Sequence, residues 1–398
     1  MNQKTMTIIL TVVIMLICWD PSGARLDACS TAVISPAASA GGGAMLWKNR
    51  DTDFLSNKVI FVKAQPYSYL GLVNAEDQTG RFVYAGLNSE GLGIMNSVAY
   101  NLDNEKNEMA DLEGLIMAEA LRTCRTVADF ERFIRANLGE SLGSQANFGV
   151  IDASGRALLF EVANRSCEVF DSAAAPSYLV NTNFARSGKP DAGAGYLRFD
   201  QVSRLLAGLQ GRKISHDFIF QTLARDFGHA LLIHPGLAEL ERSPAEPPIW
   251  LYTNDSINRP STSAAVVING RVPGRPDSPA TFWVLLGEPV CGIALPFWVE
   301  AGETPAAVQD GRDAPLARES LRLKKKIRPF TAGNQKNYLN AGLLANRENS
   351  GFLRRILDTE QEIFRETSLF LAKKRSRAEL AAFQEKMAEK ALAVLSGI

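Results

Sequence analysis

The sequence predicts an α+β protein, and three observations carry that reading. Short apolar runs separated by Gly-, Asn- and Ser-rich turns fill the chain from residue 29 to about residue 100. A helical block follows. Strand-like runs then return from residue 250 onward. Strands, then helices, then strands again argue against alternating βαβ units. The 398 residues are 46% hydrophobic and 22% charged. That composition excludes a disordered or fibrous chain and leaves room for one large domain or two modest ones. The 43 Lys+Arg balance 43 Asp+Glu, so net charge points neither to nucleic acid nor to an acidic membrane.

Period-two runs predict strands at 30–35, 44–48, 59–62 and 82–85, with Gly41-Gly42-Gly43 as a turn. Asn88-Ser89-Glu90-Gly91 between apolar neighbours predicts a tight hairpin over 87–94, because Asn and Gly supply turn geometry. Apolar spacing of three and four predicts two helices within 109–138, the second over 128–138 with Thr126 upstream as its N-cap. A hairpin at 148–152 and 157–162 turns at Ala153-Ser154-Gly155, and a strand follows at 178–182. Residues 196–228 are mostly helical, and 250–254, 263–269 and 282–286 are strands. After Pro305 the chain changes character. A basic stretch at 318–328 precedes one or two long amphipathic helices over 350–398, read as a helical extension that packs on the body or on a partner. The expected organisation is therefore 1–28, 29–305 and 306–398.

Residues 1–28 have the form of a secretory signal. Lys4 supplies the positive end. Residues 8–17 are an apolar run of about ten residues, too short for a lone membrane span. Pro21, Ser22 and Gly23 break it, and Ala28 offers a cleavage site. The expectation is an exported protein, periplasmic or secreted, without stable membrane insertion once the signal is gone. Cys29 then has three readings. Signal cleavage makes it the terminal residue, or Leu26-Asp27-Ala28-Cys29 acts as a lipobox and Cys29 is acylated, or it is an ordinary residue.

Removal of the signal leaves Cys29, Cys124, Cys167 and Cys291, which do not make a disulfide scaffold. Cys124, on a helical segment, is core or one disulfide partner, and a Cys167–Cys291 pair stays open. The only histidines are His216, His229 and His234, so a His-dependent triad near the N-terminus is hard to assemble. No Cys, Asp or Glu pattern completes a metal site around His229 and His234.

A terminal cysteine needs no histidine. Its thiol has a reference pKa of about 8.5 and its own α-amine one of about 7.7–8.0. At neutral pH part of that amine is uncharged and can take the thiol proton, which is the N-terminal variant of the nucleophile–base pair.

Four stretches follow in order: Cys29-Ser30-Thr31, Leu46-Trp47-Lys48-Asn49-Arg50-Asp51, Asn88-Ser89-Glu90-Gly91-Leu92-Gly93 and Asn181-Thr182-Asn183-Phe184. Together they resemble the N-terminal-nucleophile (Ntn) hydrolases of the choloylglycine hydrolase, penicillin V acylase and isopenicillin-N acyltransferase family, which act on linear amide C–N bonds. The resemblance spans roughly residues 29–300. It implies an αββα four-layer sandwich, here with a C-terminal helical extension. It implies Cys29 as nucleophile and Asp51 as the acid that orients the α-amine. Arg50 or Lys48 takes the place of the cation beside the thiolate. Asn183 is implied as the side-chain oxyanion donor and Asn96 as the source of a backbone donor. Arg198 resembles a downstream arginine of the family, or is an ordinary helix-surface residue. The implied activity is an exported amidohydrolase working through a thioester, with acyl transfer, dipeptidase action and a lipid-anchored non-catalytic binding protein as alternatives. The implied substrate is a small N-acyl amide, with no metal or organic cofactor and no nucleic-acid partner. The C-terminal helices make a homo-oligomer plausible.

Overall fold

The computed structural model describes residues 28–103, 111–232, 234–275 and 277–398. The signal segment, apart from Ala28, lies outside the described residues. Fifteen strands appear among them. Six form one antiparallel sheet: β1 (Ala28–Ile34), β2 (Met45–Asp51), β10 (Tyr178–Asn181), β12 (Thr262–Asn269), β13 (Thr281–Leu286) and β14 (Leu295–Phe297), in the order β10-β1-β2-β12-β13-β14. Seven form a second antiparallel sheet in sequence order: β3 (Asn57–Val62), β4 (Tyr69–Asn74), β5 (Ala85–Asn88), β6 (Gly93–Val98), β7 (Gln145–Ile151), β8 (Ala157–Ala163) and β9 (Ser166–Asp171). A two-stranded ribbon, β11 (Trp250–Tyr252) with β15 (Tyr338–Asn340), stands apart from both.

The two sheets lie face to face. A side chain at Gly149 in β7 would meet Met95 of β6 at 2.4 Å, Val33 of β1 at 2.8 Å and Leu46 of β2 at 3.2 Å. Glycine there lets one sheet approach the other. Side chains alternate along a strand, so Val33 and Leu46 identify the inward face of the first sheet. Two helices, α1 (Glu113–Thr123) and α2 (Val127–Ala136), cover the outer face of the second sheet. Their Met117, Leu121, Phe130 and Ile134 join Phe148, Phe160 and Val162 in one buried cluster. Helices α3 (Tyr196–Ala207), α4 (His216–Gln221), α5 (Pro315–Ile327), α6 (Leu353–Phe370) and α7 (Arg377–Ser396) bury their apolar stripes in the cluster of the first sheet, including Leu206, Phe220, Leu323, Phe364 and Met387. The result is a four-layer αββα sandwich, as the motifs implied. The helices after residue 305 share the core of the first sheet.

Local signals explain the elements. Thr126 caps α2 in a capping box: its hydroxyl accepts from Asp129 N at 3.1 Å, and the Asp129 carboxylate accepts from Thr126 N at 2.8 Å. Gly91 at φ 90° and Gly155 at φ 87° turn the two expected hairpins. The strand expected at 82–85 is instead a turn leading into β5. The Asp77 carboxylate accepts from the N–H groups of Gly80 and Phe82 and bends that segment. The Cys167–Cys291 pairing left open by the sequence is not formed, and Cys124 is unbridged too among the described residues. Cys167 lies in the cluster beneath the second sheet and Cys291 in that of the first.

Gly149→Val should wedge the sheets apart and lower stability by about 1–3 kcal/mol, read as a lower urea midpoint. Adding Met95→Ala should recover part of the loss. An unchanged midpoint in the single variant would mean the sheets do not meet at this distance.

Candidate functional site

Strand register assembles the site. Antiparallel pairing sets Cys29 opposite Arg50 and Ala28 opposite Asp51. Counting outward from Val33 and Leu46, Cys29, Lys48 and Arg50 share the inward face. Ser30, Asn49 and Asp51 share the outer face, toward α3. The thiol and the carboxylate therefore lie on opposite sides of one sheet, with the main chain of residue 29 between them.

On the inward side, Lys48 Nζ donates to the Tyr84 carbonyl at 2.9 Å and to Asn96 Oδ1 at 2.7 Å. Arg50 stacks over the Tyr84 ring at 3.6 Å and donates to Asn57 Oδ1. Both cations are buried, and both adjoin the strand segment that carries Cys29. The Lys48-or-Arg50 alternative thus resolves into two cations on one face, each held by its own neutral acceptor.

Beside residue 29 the pairing of β1 with β10 runs out. The register ends at Thr31 opposite Asn181. Two residues further on, Cys29 N donates to a side-chain oxygen, Asn183 Oδ1, at 3.1 Å. Asn183 can reach because its backbone is pinned. Its N–H and carbonyl bridge to Ala194, and its carbonyl also accepts from Tyr100 N. Its Nδ2 donates to the Val98 carbonyl at 3.1 Å.

On the outer side, Arg198 rises from the first turn of α3. It is buried, with 2% of its surface exposed, and is not a helix-surface residue. Its Nη1 donates to the Cys29 carbonyl at 2.7 Å and to Ser30 Oγ at 3.0 Å, and its Nη2 donates to Asn183 Oδ1 at 2.7 Å. Gly195 makes room for it. It caps α3 at φ 81°, and a Cβ there would lie 2.5 Å from Arg198 Nη2.

Asp51 is fully buried. Its Oδ1 accepts from Thr262 Oγ1 at 2.7 Å. Its Oδ2 has no hydrogen-bond partner among the described residues, and Arg198 Nη1 stands 3.8 Å away. Burial pushes the Asp51 carboxyl above the ordinary carboxylate range. Arg259, Arg198, the Thr262 hydroxyl and Lys324 pull it back. Burial also lowers the pKa of the Arg198 guanidinium, against the opposing pull of Asp51.

Cys29, Asp51, Asn183 and Arg198 thus meet around one main-chain unit, and Arg50 and Asn96 lie on the thiol side. Asn96 shows its side-chain oxygen engaged with Lys48. Sequence reasoning missed Ser30, Thr262 and Arg259. Thr262 reaches Asp51 because β12 pairs with β2, placing the two residues opposite each other across 211 positions. No local pattern announces such a partner. The Asn258-Arg259-Pro260 run just before an expected strand was the one available hint.

No protein-family model and no curated protein matches the chain. Among solved structures, it is similar to an ortholog of N-acylethanolamine-hydrolyzing acid amidase from Caenorhabditis elegans, with TM-score 0.40, 16% identity and coverage of 63% of this chain and 95% of that one. It is also similar to conjugated bile acid hydrolase from Clostridium perfringens, with TM-score 0.37, 13% identity and coverage of 63% and 88%. For penicillin V acylase from Agrobacterium tumefaciens the values are 0.36, 14%, 68% and 86%.

Gly195→Ala should displace Arg198 and force a residue with Cβ into a left-handed backbone, costing about 1–2 kcal/mol of stability. Thermal unfolding checks this. A melting temperature equal to that of the parent would place the guanidinium elsewhere.

Proposed function

We propose that the protein is an exported amidohydrolase that uses Cys29 as an N-terminal nucleophile on a linear C–N amide bond. One observation carries the reading. Polar side chains converge on the main-chain nitrogen and carbonyl of residue 29, not only on the neighbourhood of its thiol. A strand residue normally finds those partners on adjacent backbone. Side chains placed there fit a nitrogen that works as an amine.

Cleavage after Ala28 would remove the residue opposite Asp51 and leave an α-amine beside Asn183, within the field of Asp51. The amine takes the thiol proton, and Cys29 Sγ attacks the acyl carbonyl. The resulting oxyanion accepts from the Asn183 side-chain amide and from a backbone N–H near Asn96. Collapse of this intermediate breaks the C–N bond, and the α-ammonium passes its proton to the leaving amine. Water, deprotonated by the same amine, then attacks the thioester. Hydroxyl addition and expulsion of the thiolate yield the acid, and return of the α-ammonium proton to the thiolate restores the site. Lys48 and Arg50 on the thiol face favour the thiolate. Preorganised donors of this kind are worth about 2.7–4 kcal/mol each in the transition state.

Two measurements test the reading. Intact mass of the exported chain should show a terminus at Cys29 without a lipid, and Cys29→Ser should abolish turnover of N-acyl amides. A blocked terminus, or full activity of the serine variant, would remove the mechanism. Asp51 supplies a second test. Its carboxyl sits above the usual carboxylate range, and protonation as pH falls removes an acceptor for the amine. The acidic limb of kcat/KM should therefore lie above the ordinary carboxylate pKa of about 3.9. Asp51→Asn should lower kcat and erase that limb while the fold persists; an unaltered pH profile would exclude the role.

A further inference from the structure

Asp51 accepts from Thr262 and lies in the field of Arg259, at the end of a loop, residues 253–262, that no strand pairing holds along most of its length. Hydrogen bonds from Asn258 N to the Asp226 carbonyl and from Ser256 Oγ to the Phe227 carbonyl hold its middle, and a buried charged cluster fastens its ends. Arg328, just past α5, grips Glu288 through Nε at 3.0 and 3.1 Å and through Nη2 at 2.8 Å, and donates to Thr253 Oγ1 at 2.9 Å. Glu288 Oε1 accepts from Asn258 Nδ2 at 2.7 Å. Lys324, within α5, stands 3.3 Å from Glu288 Oε2 and donates to the carbonyls of Pro260 and Thr262, the latter at 3.2 Å. One carboxylate and two cations thus fasten both ends of the loop. Glu288 is fully buried, and Lys324 and Arg328 are 7% and 6% exposed.

We infer that Lys324 is a positioning residue of the active site: from the C-terminal helical layer it fixes the Arg259–Thr262 turn that orients and charges Asp51. The inference rests on the amidase reading above. The geometry separates this role from a simple core contact. Lys324 touches main-chain oxygens of the very residues that flank the Asp51 contact, and its charge favours ionised Asp51 along with those of Arg259 and Arg198. The groups facing Asp51 are Arg198 from α3, Arg259 and Thr262 from the loop, and Lys324 from α5. The helical segment after residue 305 is then part of the catalytic apparatus, and the body ending near residue 300 would carry an unfastened Asp51.

The test measures kcat/KM against pH on an N-acyl amide for the full-length mature protein and for Lys324→Met, Lys324→Gln and Lys324→Arg. Removing a cation near a carboxylate raises the carboxylate pKa. The acidic limb should therefore move to higher pH in the Met and Gln variants and return toward the parent position in the Arg variant. At the parent optimum, kcat/KM should fall by roughly tenfold to a hundredfold in the Met variant, the scale of a small misplacement at a reacting centre, with most of the loss in kcat. Lys326→Ala, on the exposed side of α5, should behave as the parent. Should Lys324→Met not fold, Lys324→Gln keeps a donor for the two carbonyls and must show the same shift. A parent-like limb and rate in the Gln and Met variants overturns the inference, and so does a rate loss without a shift that Arg does not repair. A parent protein with no Cys29-dependent amidase activity instead overturns the functional reading.

Discussion

A carboxylate with no access to water lies opposite the first residue of the first strand, and the rest of the site is arranged to tolerate it. Asp51 is buried completely, with a guanidinium at 3.8 Å and a hydroxyl at 2.7 Å. Taking such a pair out of water costs more than the attraction returns unless further hydrogen bonds satisfy both partners. Arg198 meets that demand by donating to the Cys29 carbonyl, Ser30 and Asn183. Asp51 meets only half of it, since Oδ2 accepts from nothing among the described residues. Under the proposed mechanism, a buried oxygen left in that state suits an α-ammonium at residue 29.

The sheet divides the chemistry. Its inward face carries the cysteine with two buried cations, and its outer face carries the acid with Arg198 and Thr262. The backbone of residue 29 is common to both. Because antiparallel pairing fixes Cys29 to Arg50 and Ala28 to Asp51, a one-residue slip of β1 against β2 would exchange the faces and destroy the arrangement. The core prevents that slip. Val33 and Leu46 are lodged where Gly149 admits them, and Ala32 and Trp47 fill the other side.

What the sequence made legible followed from local chemistry. Thr126 with Asp129, the Gly91 and Gly155 turns, and the apolar spacing of the long C-terminal helices gave elements close to those observed. β4 was missed because Gly71 interrupts a run with no alternation to mark it, and β9 because it is a half-exposed edge. The site was legible where order along the chain carries meaning, at Cys29, Asp51 and Asn183. It was illegible where strands distant in sequence meet. Thr262 contacts Asp51, and Arg259 and Lys324 act on it through their charge, only because β12 lies beside β2 and α5 crosses the loop between β11 and β12. The segment after residue 305 read as an extension because its pattern is amphipathic and self-contained, and nothing in that pattern says which sheet it covers.

The charge balance also bears on how an α-amine in this place could act as a base. Asp51 alone would favour the ammonium form and keep the proton on it. Arg198 shares Asn183 Oδ1 with the nitrogen of residue 29, and its positive charge disfavours a second cation at the same oxygen. Arg259 and Lys324 act from further away by keeping Asp51 ionised against its burial. Acid and cations therefore oppose each other at one atom. The three cations come from a helix, a loop and the C-terminal layer, so the charge balance at Asp51 depends on elements spread across the whole fold.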